Sequence, residues 1–374
     1  MQRSASTFIA LAIFCFSAAT YAADFKVTRI DRGAPGNRMT DMKMDSLGNL
    51  HLIYTGCSDN ACEKSELFHA MVSSTGKWLK TSVDDNGGDT GWFPSLSIDE
   101  QNGLHVFYAN HEDQKMRYAY RDPSGQWKVD DLGKGRGGWW TSSAVSNKGL
   151  FVAHTRLPKS GWEPAALEVG TLENGKWNFE IVDHDRNAGW FSSMALNKEG
   201  LPVISYTTVF SQPQGFLKLA QKTKDGWEIL EVDGGVIKSH VAVDSMGWTH
   251  VVYQRISPGE SSYFDLMHLT NAPDGEWKKV IVEDGAKLIV ETGGFPRIAI
   301  DAKGGLHIAY VYKNSELRYA RKLAGQDQWE FKNIDPLGNG VYPWILIDTK
   351  GRVHVSYEKG TGIHHAVCET CATY

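Results

Sequence analysis

A short residue pattern recurs seven times along this chain and constrains its fold more than any other feature. In each copy, alternating apolar residues lead to an Asp or its substitute, a turn containing Gly follows, and an apolar segment ends at Tyr or, once, at His. The copies end at Tyr54, Tyr108, His154, Tyr206, Tyr253, Tyr310 and Tyr357. Alternation with a period of two on both sides of a Gly-containing turn predicts a β-hairpin.

A second recurring segment follows these hairpins. A third segment, such as MRYAYR from Met116 or LRYARK from Leu317, is interpreted as a third strand, and a tight turn then leads to a Trp and a fourth strand. The Trp residues are Trp78, Trp127, Trp177, Trp227, Trp277 and Trp329. Repeats of about 40–50 residues are typical of propellers. We therefore expect six complete blades of four antiparallel strands and a seventh hairpin.

The seventh blade lacks a fourth strand at the C-terminus, and the beginning of the mature chain can supply it. FKVTRIDRG from Phe25 matches WKVDDLG from Trp127, with Phe25 in the position of the Trp. Pairing the first strand with the last blade closes the ring and removes an exposed sheet edge. The sequence thus predicts an all-β, seven-bladed β-propeller, with residues 23–374 as a single domain.

Residues 1–22 have the pattern of a secretory signal peptide. Arg3 precedes an apolar run from Phe8 to Phe16, and Thr20 and Ala22 are placed for cleavage. The run is shorter than the roughly 20 residues that a membrane span needs. We therefore expect no membrane span and a periplasmic or extracellular protein.

The remaining cysteines form two close pairs, Cys57 with Cys62 and Cys368 with Cys371. In an exported protein these pairs predict two local disulfides; a zinc site built from both pairs and a redox-active second pair are the alternatives. Without Arg3, 38 Lys and Arg oppose 44 Asp and Glu. This balance argues against general nucleic-acid binding, which needs a basic surface. We expect a monomer with no evident cofactor and leave a structural or catalytic metal ion open.

The turn before the repeated Trp resembles a degenerate Asp-box. The Asp-box is the Ser-x-Asp-x-Gly-x-x-Trp motif of sialidase-like propellers. SSTGKW at Trp78 and DPSGQW at Trp127 keep the Gly and the Trp without the strict spacing. The whole mature chain is similar to secreted propellers with such repeats, which include ulvan-lyase-like polysaccharide lyases and several lectins. The resemblance implies a carbohydrate-related propeller, but it matches no member's catalytic motif residue by residue.

Residues that recur from blade to blade are expected to serve the blade itself. Five His residues share one position in the second strand: His51, His105, His250, His307 and His354. We interpret them as hydrogen-bonded scaffold residues rather than metal ligands, because buried polar groups find partners. The repeated Trp residues are interpreted as apolar wedges between adjacent blades.

Residues that differ between blades are the candidates for function, and we expect them around the funnel on the face of the blade-to-blade loops. Trp rings stack on sugars, while Arg and His bind carboxylate or sulfate groups. The candidate substrate-binding residues are Arg38, Trp92, Trp139, Trp140, Trp190, His240 and Trp344. The alternative for each Trp is that it plugs a blade junction.

Further deviations from the repeat give candidate catalytic residues, which are His111, His154, Arg156, Tyr206, Arg255, Arg297 and Tyr312. A polysaccharide lyase needs a cation for the uronate carboxylate, a base and an acid. On this hypothesis the two His residues are base or acid, Tyr206 or Tyr312 is the partner, and one of the three Arg residues binds the carboxylate. The alternative for each is a solvated loop residue.

The sequence therefore predicts a secreted carbohydrate-active propeller that cleaves an acidic polysaccharide by β-elimination at one asymmetric site. A hydrolase would need two suitably spaced carboxylates. Asp89, Asp183, Asp185 and Asp233 lie near blade-to-blade loops without a distinctive motif. A non-catalytic lectin or adhesin, and a propeller that binds proteins, are the alternatives from other functional classes.

Overall fold

The computed structural model describes residues 25–33, 39–57, 62–72, 76–85, 88–132, 137–158, 163–208, 215–260, 262–313, 315–335 and 340–372. The predicted signal peptide and Arg38 lie outside these described residues. The described residues form seven sheets of four antiparallel strands each, which confirms the predicted seven-bladed β-propeller. No helix within these ranges is long and apolar enough to cross a membrane.

The blades follow one another along the chain, and only the first strand, β1 (Lys26–Arg32), belongs to a distant blade. Blade 1 contains β2 (Thr40–Met44), β3 (Leu50–Gly56), β4 (Glu66–Val72) and β5 (Trp78–Asp84). Blade 2 contains β6 (Trp92–Ile98), β7 (Leu104–Asn110), β8 (Lys115–Arg121) and β9 (Trp127–Asp131). Blade 3 contains β10 (Trp139–Ser146), β11 (Gly149–Arg156), β12 (Ala166–Glu173) and β13 (Lys176–Asp183).

The remaining blades repeat this order. Blade 4 contains β14 (Trp190–Leu196), β15 (Pro202–Thr207), β16 (Phe216–Thr223) and β17 (Gly226–Gly234). Blade 5 contains β18 (Val236–Val243), β19 (Thr249–Ile256), β20 (Phe264–Thr270) and β21 (Lys278–Glu283), followed by the short helix α1 (Gly285–Leu288). Blade 6 contains β22 (Gly294–Ile300), β23 (Leu306–Tyr312), β24 (Glu316–Lys322) and β25 (Glu330–Asp335). Blade 7 contains β26 (Gly340–Ile347), β27 (Val353–Lys359), β28 (Gly362–Cys368) and β1.

The N-terminal strand closes the ring as the sequence predicts. β1 pairs antiparallel with β28, from Lys26 opposite Val367 to Arg32 opposite Gly362. Phe25, just before β1, contacts Tyr319 of blade 6 edge-to-face at 5.5 Å. Trp177 makes the equivalent contact with Tyr118 across the junction of blades 2 and 3, at 5.6 Å. Phe25 therefore substitutes for the recurring Trp at the last junction.

The five recurring His residues are held inside their blades by two partners each. In blade 2, Nε2 of His105 lies 3.1 Å from the carboxylate of Asp99, and Nδ1 lies 2.8 Å from the hydroxyl of Tyr118. The second partner is also Tyr in blade 6 but is His in blades 1, 5 and 7. The interpretation of these His residues as scaffold is confirmed.

A hydrogen bond joins most neighbouring blades. The Tyr that ends each hairpin pattern donates its hydroxyl to a carboxylate at the end of the preceding blade, as Tyr108 does to Asp84 at 2.7 Å. The other pairs are Tyr54 with Asp31, Tyr206 with Asp183, Tyr253 with Asp233, Tyr310 with Glu283 and Tyr357 with Asp335. We call this contact the Tyr latch; blade 3 has His154 in place of the Tyr.

The His scaffold predicts a particular dependence of stability on pH. Burial and the neighbouring His250 lower the pKa of His268 to about 3, whereas the unfolded chain takes up this proton near pH 6.5. As the pH falls from about 6.5 toward 3, the unfolded state binds more protons, so this His alone lowers the free energy of unfolding by about 1.4 kcal/mol per pH unit. Blades 2 and 6 have Tyr at the position of His268. We therefore expect His268→Tyr to reduce the slope of the free energy of unfolding against pH by about 1.4 kcal/mol per pH unit.

Urea unfolding of both proteins at pH 7, 6 and 5 measures this slope. His184→Tyr is the matched control, because His184 is exposed, and it should leave the slope unchanged. Equal slopes in the parent protein and in His268→Tyr would contradict the assignment.

Candidate functional site

In blades 2 to 7, a β-bulge interrupts the pairing where the chain enters the inner strand. In blade 2, Trp92 lies opposite Ala109 and Ser95 opposite Phe107, so two residues share one partner position. One of them, Phe93, has φ of 51°, which bulky residues rarely adopt. Bulges re-aim side chains, and this one turns Phe93 toward the propeller axis. The same register shift occurs in blades 3, 4, 6 and 7.

The residues at this position meet on the axis. They form a cluster that we call the axial plug, which consists of the buried residues Met39, Phe93, Trp140, Phe191 and Tyr342 and the half-buried Phe295. Trp140 lies 4.3 Å from Phe93 and 4.2 Å from Phe191. Phe191 of blade 4 approaches Phe295 of blade 6, across the axis, to 6.5 Å. The funnel expected on this face is therefore filled by side chains, and Trp140 is one of them.

In blades 2, 3 and 4, the residue just before the plug residue is also aromatic, and it has a different environment. Trp92, Trp139 and Trp190 are half-buried and pack against the plug; we call them the Trp strip. The rings of Trp92 and Trp139 are 6.4 Å apart. Three successive blades therefore present aromatic surface around the plug.

His111 lies beside the Trp strip in a geometry suited to proton transfer. Its ring stacks on Trp92 at 4.2 Å, with the ring planes 14° apart. Its Nδ1 lies 3.4 Å from a carboxylate oxygen of Asp89, and its side chain is 41% exposed. Asp89 is itself held by hydrogen bonds from Ser65. A carboxylate at Nδ1 favours the tautomer that leaves Nε2 free to accept a proton.

A second ionisable group lies in blade 3, where the Tyr latch is missing. Buried His154 accepts a hydrogen bond at Nδ1 from the Gly138 N–H at 3.2 Å, so its Nε2 carries the proton and faces Glu168 at 3.1 Å. Arg156, two residues further along β11, lies 3.9 Å from the same carboxylate. Although burial acts in the opposite direction, the His154 hydrogen bond and the Arg156 charge lower the pKa of Glu168.

One connection brings these groups together. The Gly137 N–H donates to the carbonyl of Gln114 in the turn that contains His111, and a Cβ on Gly137 would lie 2.8 Å from the His154 ring. Gly138 then leads directly into Trp139. His111, Trp139 and the His154 group thus lie around Gly137 and Gly138. We call the set of Trp92, His111, Trp139, His154 and Arg156 the blade 2–3 site.

Three candidates from the sequence lie elsewhere, on the axis. The ring of His240 contacts Trp344 edge-on at 5.3 Å, and the guanidinium of Arg297 lies 5.2 Å from the same indole. Arg297 and Trp344 follow the plug residues Phe295 and Tyr342 by two positions along their inner strands, and His240 occupies the equivalent position in blade 5. All three therefore lie on the opposite side of the plug from the Trp strip. The structure therefore separates them from the blade 2–3 site.

Three further candidates lie within the blades and their junctions. Tyr206 is fully buried, donates to Asp183 at 2.7 Å, and has a pKa raised by burial. Arg255 pairs with two carboxylates, of which Asp265 is buried. Tyr312 lies under the guanidinium of Arg318 at 4.3 Å.

Both predicted disulfides are present, between Cys57 and Cys62 and between Cys368 and Cys371. Within the described ranges, no group of three or more His, Cys, Asp or Glu is placed to hold a metal ion. Glu168 is not among the residues predicted from the sequence, although the pairing of β11 with β12 sets it directly opposite His154. An alignment of the third strands would have found this cross-strand pair.

The Tyr latch predicts how a change at Tyr206 will act. Tyr206→Phe removes the hydroxyl from a buried carboxylate, which should lower the free energy of unfolding by about 1–3 kcal/mol, measured by urea denaturation. Tyr357→Phe, which breaks the equivalent bond to Asp335, should have a similar cost. An unchanged stability combined with weaker activity on polysaccharide would instead assign Tyr206 to the functional site.

Comparisons with known proteins agree on the architecture. No family model and no curated protein matches this chain. An ulvan lyase structure is similar with a TM-score of 0.61 and 12% identity, covering 92% of this chain and 96% of that one. A protein of unknown function from Dyadobacter fermentans has a TM-score of 0.53 and 13% identity over 91% and 97% of the two chains. The Aleuria aurantia lectin has a TM-score of 0.50 and 12% identity over 82% and 98%. The chain shares the β-propeller fold with these proteins.

Proposed function

We propose that this protein is exported, binds an acidic polysaccharide along the Trp strip and cleaves it by β-elimination at the blade 2–3 site. The observation that carries the proposal is the accessible imidazole of His111, which is oriented by Asp89 and stacked on Trp92. The signal-like N-terminus and the two disulfides support export.

The Trp strip supports a carbohydrate ligand. Aromatic faces pack against the apolar faces of sugar rings, and the half-buried rings of three successive blades offer a surface longer than a single sugar needs. A similar ulvan lyase has been solved bound to a chain of glucuronate and sulfated rhamnose. This ligand is an acidic polysaccharide, the class that we propose here.

The chemistry requires a base next to a cation. In β-elimination a base removes the proton from the carbon that carries the uronate carboxylate, a double bond forms to the neighbouring carbon, and the glycosidic oxygen leaves. Nε2 of His111 takes this proton while Asp89 holds Nδ1. The resulting imidazolium returns the proton to the leaving oxygen when both groups lie on one face of the sugar.

Arg156 and its neighbours supply the positive charge. As the proton leaves, negative charge develops on the uronate carboxylate, and a fixed cation stabilises it. Arg156 is part-exposed and is positioned by Glu168, which His154 holds in turn. Because His154 is buried, we assign it as a positioning residue.

Activity on polymers tests the proposal. Glucuronate-, galacturonate- and mannuronate-containing polysaccharides are incubated with the protein, and the absorbance of the new conjugated double bond is followed. We expect His111→Ala to lower kcat by roughly 10²–10⁴-fold with little change in KM. The matched control is His184→Ala, at an exposed His in another blade-to-blade loop, which should remain fully active. If no polymer is cleaved while glycan binding persists in both His111→Ala and His154→Ala, the protein is a lectin instead.

The Trp strip generates a separate prediction about affinity. Trp139→Ala should weaken polysaccharide binding about fivefold, because a stacking surface of roughly 1 kcal/mol is lost; isothermal titration measures this change. Trp227→Ala is the control, since Trp227 is a half-buried Trp on an outer strand. Equal losses in the two variants would argue against a role for the Trp strip.

A further inference from the structure

A cavity of about 450 Å³ occupies the propeller axis on the other side of the plug. Small-molecule sites typically have volumes of about 300–1,000 Å³. Small inner-strand residues such as Ala144, Ala195 and Ala242 line it and leave it wide. Lys43 lies near the end of the cavity where the turns between the first and second strands of the blades are found, and its side chain is 36% exposed. The cavity therefore reaches solvent on the face opposite the Trp strip.

The inner strands around this axial cavity differ between the two halves of the ring. At one shared position of the inner strands, blades 2, 3 and 4 carry Ser95, Ser142 and Ser193. Blades 1, 5, 6 and 7 carry Asp41, His240, Arg297 and Trp344 at this position. One side of the axis thus has hydroxyl groups, and the other has charged and aromatic groups.

Two charged side chains at this shared position, Asp41 in the cavity wall and Arg297 beside Trp344, are incompletely satisfied. Asp41 is 2% exposed; its Oδ2 accepts from the Leu96 N–H at 2.8 Å, while Oδ1 has no hydrogen-bond partner among the described residues. Arg297 is 8% exposed, and its Nε also has no hydrogen-bond partner in the described ranges. Unmade hydrogen bonds at buried polar atoms are costly, so a ligand that supplies them would bind favourably.

The neighbouring groups indicate what such a ligand contains. His240 accepts from the Ile298 N–H at Nδ1, so its Nε2 carries a proton and can donate. The ammonium of Lys43 lies 3.8 Å from Asp41 and 4.8 Å from the centre of the Trp344 ring. Lys43 and Arg297 outweigh the single carboxylate in charge, which favours an anion.

We infer that the axial cavity is a second binding site, for a hydroxylated carboxylate of the size of one sugar acid. Lys43 and the Nε2–H of His240 bind the carboxylate, with the charge of Arg297 nearby. A ligand hydroxyl donates to Oδ1 of Asp41, and the ligand ring packs on Trp344. The site is separated from the Trp strip by the plug and does not depend on the proposed cleavage reaction.

Isothermal titration with D-glucuronate tests the site, with D-glucose as the neutral comparison. We expect one glucuronate per chain and at least tenfold weaker binding of glucose. Lys43→Met should weaken glucuronate binding at least tenfold, and Ala242→Leu, which fills the cavity, should abolish it. Trp139→Ala should leave it unchanged, because the Trp strip lies beyond the plug.

Unfolding midpoints of the variants show whether each remains folded, and Lys43 is exposed enough for its replacement to be tolerated. Absence of saturable glucuronate binding would overturn the inference. So would binding that survives both Lys43→Met and Ala242→Leu, or binding that Trp139→Ala removes.

Discussion

The Tyr latch is the contact on which the rest of the architecture depends. A buried phenol of one blade donates to a carboxylate at the outer edge of the preceding blade, and burial raises the pKa of the phenol so that it remains a donor. A cation from the third strand, such as Arg117 beside Asp84, compensates the same carboxylate. Each latch thus ties the second strand of one blade to the outer strand of the neighbouring sheet, which fixes the blades relative to one another and leaves their loops free to vary.

The single departure from this pattern coincides with the proposed site. Blade 3 has His154 where the other blades have Tyr, and this His pairs with Glu168 in its own blade. Asp131, at the end of the preceding blade, is paired with Arg117 instead. Because this junction has no Tyr latch, His154 and Glu168 can instead position Arg156 and the loop that carries Trp139. The proposed function is therefore placed where the repeat is interrupted.

The axial plug separates two surfaces of different character, each of which we propose as a binding site. On one face, the half-buried Trp rings form an extended surface suited to a polymer. On the other face, the axial cavity opens to solvent, has a volume of about 450 Å³ and is lined by Asp41, Lys43 and His240. A polymer on the first face cannot reach the axis, because the bulges of the inner strands turn aromatic side chains into it. The same bulges thus create both surfaces.

The sequence by itself determined the seven hairpins, the ring closure by β1, the scaffold role of the recurring His residues and the two disulfides. These features follow from local alternation and from identical positions in successive blades, which sequence periodicity records directly. Only the tertiary structure decided that Trp140 belongs to the plug while Trp139 lies on the face, that Glu168 is the partner of His154, and that His240, Arg297 and Trp344 lie beyond the plug. A bulge with a left-handed residue shifts the register by one position, and neighbours across the axis are distant in sequence, so alternation alone could not place these side chains.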